Sequence, residues 1–308
     1  MGAAVVSCGR PQWAHARRRE SAMSIDIDSL RQAIGRTIVD EDVATAWPLR
    51  GMIATFDRTE RAPVDGESIP AGWHYCYFNS DARPAELAED GLPRSGGVLP
   101  KMPLPRRMYA GSTFTFAGDI RVGDKLRRET ELTDLQLRGG GTGTLIVATQ
   151  TRRVYTPRGL AVSELYNTVF REAVAPGAQS GIPKRETPPE GLPWRRTHKA
   201  DAVSLFRYSA LTFNPHRIHY DRPYAMQVEG YPGLVVHGPY SQQCVIDLLR
   251  DSAPGRRIAT LAVRARAPLF DIAPFELVGR PTADGAGAEL WALTPQGTIA
   301  VQASATFA

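Results

Sequence analysis

Three of the six histidines, His216, His219 and His237, fall in one stretch, RYSALTFNPHRIHYDRPYAMQVEGYPGLVVHG, from Arg207 to Gly238. The others are His15, His74 and His198. The stretch also carries Asn214, Asp221, Tyr208, Tyr220 and Tyr231, and nowhere else is the chain so dense in titratable and hydrogen-bonding groups. An imidazole takes up and returns a proton near neutral pH. A neighbouring amide holds a water without titrating. This composition suits acid/base catalysis. Two other readings stand beside it. His216 and His219, at i and i+3 with Asp221 nearby, form part of a metal-ligand set. Zinc sites usually take three or four ligands with recognisable spacing, however, and the proline turn spoils a single helical face. Histidines also cap helices and satisfy loop carbonyls. Asn214-Pro215 is a turn signal, so the residues beyond it leave on a loop between two helices, a common place for catalytic groups.

Those two helices must position the loop. Residues 201–211 read as an amphipathic helix, with Val203, Phe206 and Leu211 near helical spacing. Residues 236–251 read as a longer one, with Val245, Leu248 and Leu249 on its apolar face. Four strand-like segments follow. The last two repeat an earlier pair. TGTLIVATQTRRVYTPRGLAVS (142–163) and AGAELWALTPQGTIAVQAS (286–304) are both strand, Thr-Pro-x-Gly turn, strand. Upstream, Asp119-Ile120 and Asp271-Ile272 each precede strand-like alternation and a Gly-rich turn, at 139–141 and 284–287. The same order twice points to a duplicated α+β unit. In the first half, DVATAWPLRGMIATF and GWHYCYF precede the strands. The seam lies at 173–196, where five of the 24 prolines and three glycines exclude a helix or a sheet interior. The expected units are a domain over 24–172, a linker over 173–193 and a domain over 194–308. A long helix wrapped by an antiparallel sheet is a hot dog, and two copies make a double hot dog. Near the start, SIDIDSLRQAIGRTI reads as a helix capped by Ser24 or Asp26, with Leu30, Ile34 and Ile38 spaced by four.

Composition removes several classes. With 43% hydrophobic and 22% charged residues in 308, the chain is neither disordered nor collagenous. No apolar run approaches the roughly 18 residues that span a bilayer. The net charge is +5, but Arg10, Arg17, Arg18 and Arg19 against Glu20 place most of it in the first 22 residues. The near-neutral body argues against binding a nucleic-acid backbone. Cys8, Cys76 and Cys244 are far apart with no CxxC pair, which fits buried thiols and a reducing, cytoplasmic location. The segment AAVV is too short for a secretory h-region. Residues 1–23 read as a disordered extension with Met23 as an alternative start, or as a basic, acid-poor targeting segment.

The His-bearing stretch resembles the hydratase 2 motif of MaoC-like (R)-specific enoyl-CoA hydratases and dehydratases. That motif runs aromatic-x-x-Leu-Ser-Gly-Asp-x-Asn-Pro-x-His, followed later by an apolar His-Gly. Tyr208, Ala210-Leu211-Thr212 and His219 match it, and Val235-Val236-His237-Gly238 matches the His-Gly. The resemblance is closest to the long, two-hot-dog branch that includes itaconyl-CoA and mesaconyl-C4-CoA (3-methylfumaryl-CoA) hydratases. GVLPKMPLPRRMYAGSTFTF and IRVGDKL look like the N-terminal domain of that branch, so the resemblance covers nearly the whole chain beyond residue 23. One departure matters. The family's catalytic Asp falls at Asn214 and its Asn at His216. An amide cannot act as a base, so proton transfer rests on His219.

The resemblance implies reversible addition of water to an α,β-unsaturated acyl-CoA, with a short branched dicarboxylyl-CoA as the expected substrate. His219 would activate a water that Asn214 orients, and the Gly238 backbone N–H at a helix N-terminus would meet the thioester oxygen. Tyr208, His216, Arg217, Tyr220, His237, Arg106 and Arg107 are candidates for binding the substrate or CoA. A carboxylate on the acyl group calls for a guanidinium, from Arg106, Arg107, Arg207 or Arg217. Arg106-Arg107 could equally steer CoA phosphates. No metal and no cofactor is expected beyond the CoA carried by the substrate, and no nucleic acid or membrane partner. The chain is expected to be a monomeric pseudo-dimer or a homodimer. Alternatives are a fatty-acid-type 3-hydroxyacyl thioester dehydratase, a hot-dog thioesterase and a non-catalytic thioester-binding partner.

Overall fold

In the computed structural model, residues 25–94, 97–140, 143–173 and 186–308 are described. Ten strands form one antiparallel sheet: β1 (Thr37–Val43), β2 (Arg106–Phe116), β3 (Lys125–Gly140), β4 (Gly143–Thr156), β5 (Gly159–Arg171), β6 (Trp194–His198), β7 (Ile258–Ala265), β8 (Phe275–Pro281), β9 (Gly287–Leu293) and β10 (Ile299–Phe307). Their spatial order is β1-β3-β4-β5-β2-β7-β10-β9-β8-β6. Read outward from the centre, the two halves have the same order, with β7, β10, β9, β8 and β6 answering β2, β5, β4, β3 and β1. This duplication is what the two Thr-Pro-x-Gly hairpins led us to expect. Each half has one strand more than the sequence suggested, because the short edge strands β1 and β6 were not read. The C-terminal end of β5 at Arg171 and the start of β6 at Trp194 flank the expected linker, of which 174–185 lie outside the described residues. Residues 1–23 also lie outside them.

The halves meet where β2 pairs with β7, Gly111 opposite Arg264 and Thr115 opposite Thr260. Gly111 sits at a register shift in β2, with φ 142°, and a Cβ there would lie 2.2 Å from the Val263 carbonyl oxygen. Only glycine allows the two strands this approach.

Four helices accompany the sheet: α1 (Ile27–Arg31), α2 (Ala46–Thr55), α3 (Ala202–Thr212) and α4 (Gly238–Ser252). Both α3 and α4 fall where the sequence placed them, and Val245, Leu248 and Leu249 of α4 are buried as expected. The face of α3 is a correction: Val203 and Phe206 are exposed, and Leu205, Tyr208 and Ser209 are buried instead, because the helix packs only one turn-spaced edge against the core. Every residue of α4 from Tyr240 to Leu249 is buried, which is the pattern of a helix enclosed on all sides. It is the helix that the sheet wraps. The polar residues on it find partners. Gln242 accepts from the Tyr109 hydroxyl at 2.6 Å, and Gln243 donates to Asp247 at 3.0 Å. The buried core around it draws on both halves, including Leu49, Trp73 and Phe114 as well as Leu205, Val245 and Leu290. Cys76 and Cys244 are buried and unpaired, as expected.

The fold is the double hot dog, but its two halves are not equal. The first half has no long central helix among its described residues. A 3₁₀ turn (Trp73–Cys76) packs there instead, and the described residues between it and β2 hold only one further short 3₁₀ turn (Pro84–Glu86). Pro84, Pro93, Pro100, Pro103 and Pro105 explain this, since each lacks the N–H that a helix interior needs. The helix expected from residue 24 is also shorter. Asp26 caps it, but it ends by Gln32, and Gly35 at φ 88° turns the chain so that Ile38 enters β1.

Candidate active site

α3 begins at a capping box, in which Asp201 Oδ1 accepts from the Ser204 N–H at 2.8 Å. It ends at Phe213, which adopts a left-handed conformation (φ 46°) rare for a bulky residue. That reversal carries Asn214 out of the helix and into a cleft. Asn214 Oδ1 then accepts from the His216 N–H at 3.0 Å, an Asx turn that fixes the amide. One 3₁₀ turn (Arg217–His219) delivers His219.

His219 Nδ1 lies 2.7 Å from the Val235 carbonyl oxygen. A carbonyl only accepts, so Nδ1 carries the proton and the neutral ring holds its lone pair on Nε2. Val235 is itself pinned, its N–H donating to Ile218 O at 3.0 Å. His237 stacks on His219, with centroids 3.7 Å apart, and its Nε2 meets Ser209 Oγ at 2.8 Å. His216 stands edge-on to His219 at 5.4 Å. Burial pushes all three down: His219 to about 4, His216 to about 2 with help from the charges of His219 and Arg107, and His237 well below its ordinary value. At neutral pH all three rings are uncharged.

Gly238 opens α4 directly beside this cluster. A Cβ at this position would lie 2.1 Å from the Tyr109 ring, so the residue must be glycine for Tyr109 of β2 to pack on the helix start. Among the described residues, no protein acceptor meets the Gly238 N–H. The first turn of a helix of this length is a favourable place for developing negative charge.

The cleft measures about 1980 Å³ and draws its walls from both halves. Arg107, Tyr109, Arg152 and Tyr166 come from the first, and Tyr208, Asn214, His216, His219 and Gly238 from the second. It exceeds the roughly 300–1,000 Å³ of ordinary small-molecule pockets and suits a long ligand. Among the described residues, no group of three or more His, Cys, Asp and Glu side chains could hold a metal ion.

The structure thus brings Tyr208, Asn214, His216, His219, Gly238 and Arg107 together around one cleft. Other sequence candidates lie away from it. Arg106 turns into the protein, donating to Glu229 at 2.7 Å and to the Tyr231 hydroxyl at 2.6 Å. Arg217 is held by Asp221 at 2.7 Å and by Glu89 O at 3.0 Å. Tyr220 is exposed, its hydroxyl donating to Pro215 O. Arg207 donates to Ala54 O. His237 is fully buried behind His219 and does not line the cleft. Sequence reasoning missed Tyr109, Arg152 and Tyr166. Their signal was available: Gln150, Arg152, Glu164, Tyr166 and Thr168 are polar residues on one face of paired strands, where β-alternation calls for apolar ones.

Residues 72–271 match the family of type 2 hydroxyacyl-thioester dehydratases (Htd2). A mesaconyl-C(4)-CoA hydratase of Chloroflexus aurantiacus is 40% identical over 273 residues, 88% of this chain and 95% of that one. Among solved structures, a MaoC-like dehydratase matches with a TM-score of 0.67 at 14% identity, over 90% of this chain and 99% of its own. A Mycobacterium tuberculosis protein described as having a double hotdog fold matches with a TM-score of 0.52 at 12% identity, over 89% and 96%. The last two agree with the observed fold, and the first two place the sequence: the chain belongs to the type 2 hydroxyacyl-thioester dehydratases, hydro-lyases of acyl thioesters.

Proposed function

We propose that the enzyme adds water reversibly to a short, branched, α,β-unsaturated dicarboxylyl-CoA of the mesaconyl-C4-CoA type. The observation that carries this reading is the tautomer of His219. Its Nδ1–H is committed to the Val235 carbonyl, which leaves the Nε2 lone pair to take a proton from water. The thioester carbonyl lies at the start of α4. Asn214, its Oδ1 held by His216 N–H, offers its Nδ2 to the water. The water oxygen bonds to Cβ as its proton passes to Nε2. The Cα=Cβ electron pair shifts toward the thioester, and the Gly238 N–H meets the enolate oxygen. His219 then returns the proton to Cα, restoring both the neutral ring and the thioester. Run backwards, the same steps dehydrate a 3-hydroxyacyl thioester. Arg107 and the size of the cleft support an anionic acyl group on a long carrier, and the 40% identical hydratase supports the mesaconyl-C4 choice.

The test follows the absorbance of the enoyl-thioester band with mesaconyl-C4-CoA, itaconyl-CoA and crotonyl-CoA. Wild type should bleach the band, fastest with a dicarboxylyl substrate, and His219→Ala should be slower by about 10²–10⁴. Equal inactivity of both proteins on all three, with CoA esters still binding, would leave a non-catalytic thioester-binding protein instead.

A further inference from the structure

Among the described residues, Arg107 is a cation lining the cleft that no side-chain acceptor meets. Its neighbours are all engaged: Arg106 by Glu229 at 2.7 Å, Arg128 by Asp40 at 2.7 Å. Arg152 lies flat over the Tyr166 ring at 3.7 Å, with Glu164 at 3.7 Å. Arg107 sits opposite Phe170 across β2 and β5, its guanidinium 5.9 Å from that ring. Among the described residues, no side chain forms an ion pair or a hydrogen bond with it. Burial and the nearby Arg152 charge press against its ionised form, Tyr166 and the Asp90 carboxylate offset them only in part, and a guanidinium stays protonated under such pressure. A largely desolvated charge with a second cation beside it is costly until an anion arrives.

Its place in the cleft says which anion. The charge of Arg107 reaches His216, which stands edge-on to His219 at 5.4 Å. Two residues along β2, Tyr109 packs on Gly238. Arg107 thus lines the same cleft as His216, His219 and Gly238, the residues that the proposed hydration sets around the reacting carbons. A guanidinium fork matches a carboxylate with two parallel hydrogen bonds.

We infer that Arg107 determines specificity by binding a free carboxylate attached at or next to the β-carbon of the unsaturated thioester. This rests on the proposed hydration and deepens it. A carboxylate held there fixes which alkene carbon faces His219, so the residue selects dicarboxylyl over simple enoyl thioesters.

The experiment compares kcat/KM for mesaconyl-C4-CoA and crotonyl-CoA in wild type, Arg107→Gln and Arg107→Lys, with inhibition by free CoA measured in each. Removing one partner of a buried charged pair costs roughly 30- to 5,000-fold. Arg107→Gln should lose that much on mesaconyl-C4-CoA and far less on crotonyl-CoA, with CoA inhibition unmoved. Arg107→Lys should recover part of the loss. Equal losses on both substrates, or weakened CoA inhibition, would overturn the assignment, the latter marking a phosphate site. If wild type turns over neither substrate, the hydratase reading fails, and binding decides the role of Arg107 separately. Calorimetry with succinyl-CoA and butyryl-CoA should then show a succinyl preference in wild type that Arg107→Gln abolishes. No preference in wild type would overturn the inference.

Discussion

The imidazoles of His219 and His237 lie stacked, their planes inclined by 23°. His237 is held from behind by Ser209, and its Nδ1 is buried without a hydrogen-bond partner among the described residues. The inner ring acts as a flat, uncharged support for the outer one. His237→Ala should free the base to change rotamer, so kcat should fall by about tenfold or more while KM moves little. His237→Phe keeps a flat ring and should retain more of kcat than the alanine variant. A change confined to KM would show that His237 acts on binding instead.

The pH profile follows from the buried base. His219 is pushed down to about 4, so the neutral form that accepts a proton prevails at all pH values well above that. The kcat/KM of wild type should be flat from about pH 6 to 8 and decline only as pH falls toward 4. Asn214→Asp places a carboxylate beside the imidazole. An opposite charge favours imidazolium, so the acid limb should move to higher pH. An unmoved limb would mean that His219 does not report on the profile.

Gly238 has a steric role that is separable from its N–H. In Gly238→Ala the new methyl meets the Tyr109 ring, and overpacking of this kind costs about 1–3 kcal/mol. The displaced helix start should also lower kcat, by up to about 10²–10³ if the N–H no longer faces the thioester oxygen. Adding Tyr109→Ala should recover stability, measured by urea unfolding. A single variant as stable and as active as wild type would rule out the close approach.

Stability should depend on pH through the buried histidines. His74 and His219 are pushed down to about 4, His216 to about 2 and His237 further, all chiefly by burial. The unfolded chain protonates these rings near pH 6.5, before the folded one does. Stability is thus complete above pH 6.5 and lost as pH falls from there toward 4. Each ring contributes about 1.4 kcal/mol per pH unit in that window. Urea titrations at pH 7, 6 and 5 should show the decline, and His74→Asn should lessen its slope. Stability unchanged down to pH 5 would contradict neutral buried rings.

What the sequence disclosed was governed by local chemistry. Asn214-Pro215 and the spacing to His219 report a turn that positions its own residues, and the two Thr-Pro-x-Gly turns report hairpins that close on themselves. The apolar face of α4 was legible in Val245, Leu248 and Leu249, whereas its buried Gln242, Gln243 and Asp247 gave no sign that the helix is enclosed on every side. Arg107, Tyr109, Arg152 and Tyr166 were harder to see, because what makes them a cleft wall is the meeting of β2, β4 and β5 with the start of α4 far along the chain. Arg106 and Arg107 show the limit best. Adjacent arginines on a strand point to opposite faces, so one is consumed by Glu229 and the other faces the cleft, and only the sheet register distinguishes them.

The β2–β7 seam also sets an order of events during synthesis. Residues 111–115 of β2 find their partners at 260–264, which are synthesised about 150 residues later. Until then β2 is an open edge, with unpaired backbone groups that another strand can meet. The nascent first half therefore passes through a period in which a neighbouring copy can take the place reserved for β7. Production of this protein should accordingly favour conditions that keep nascent chains apart, such as low temperature and slow induction.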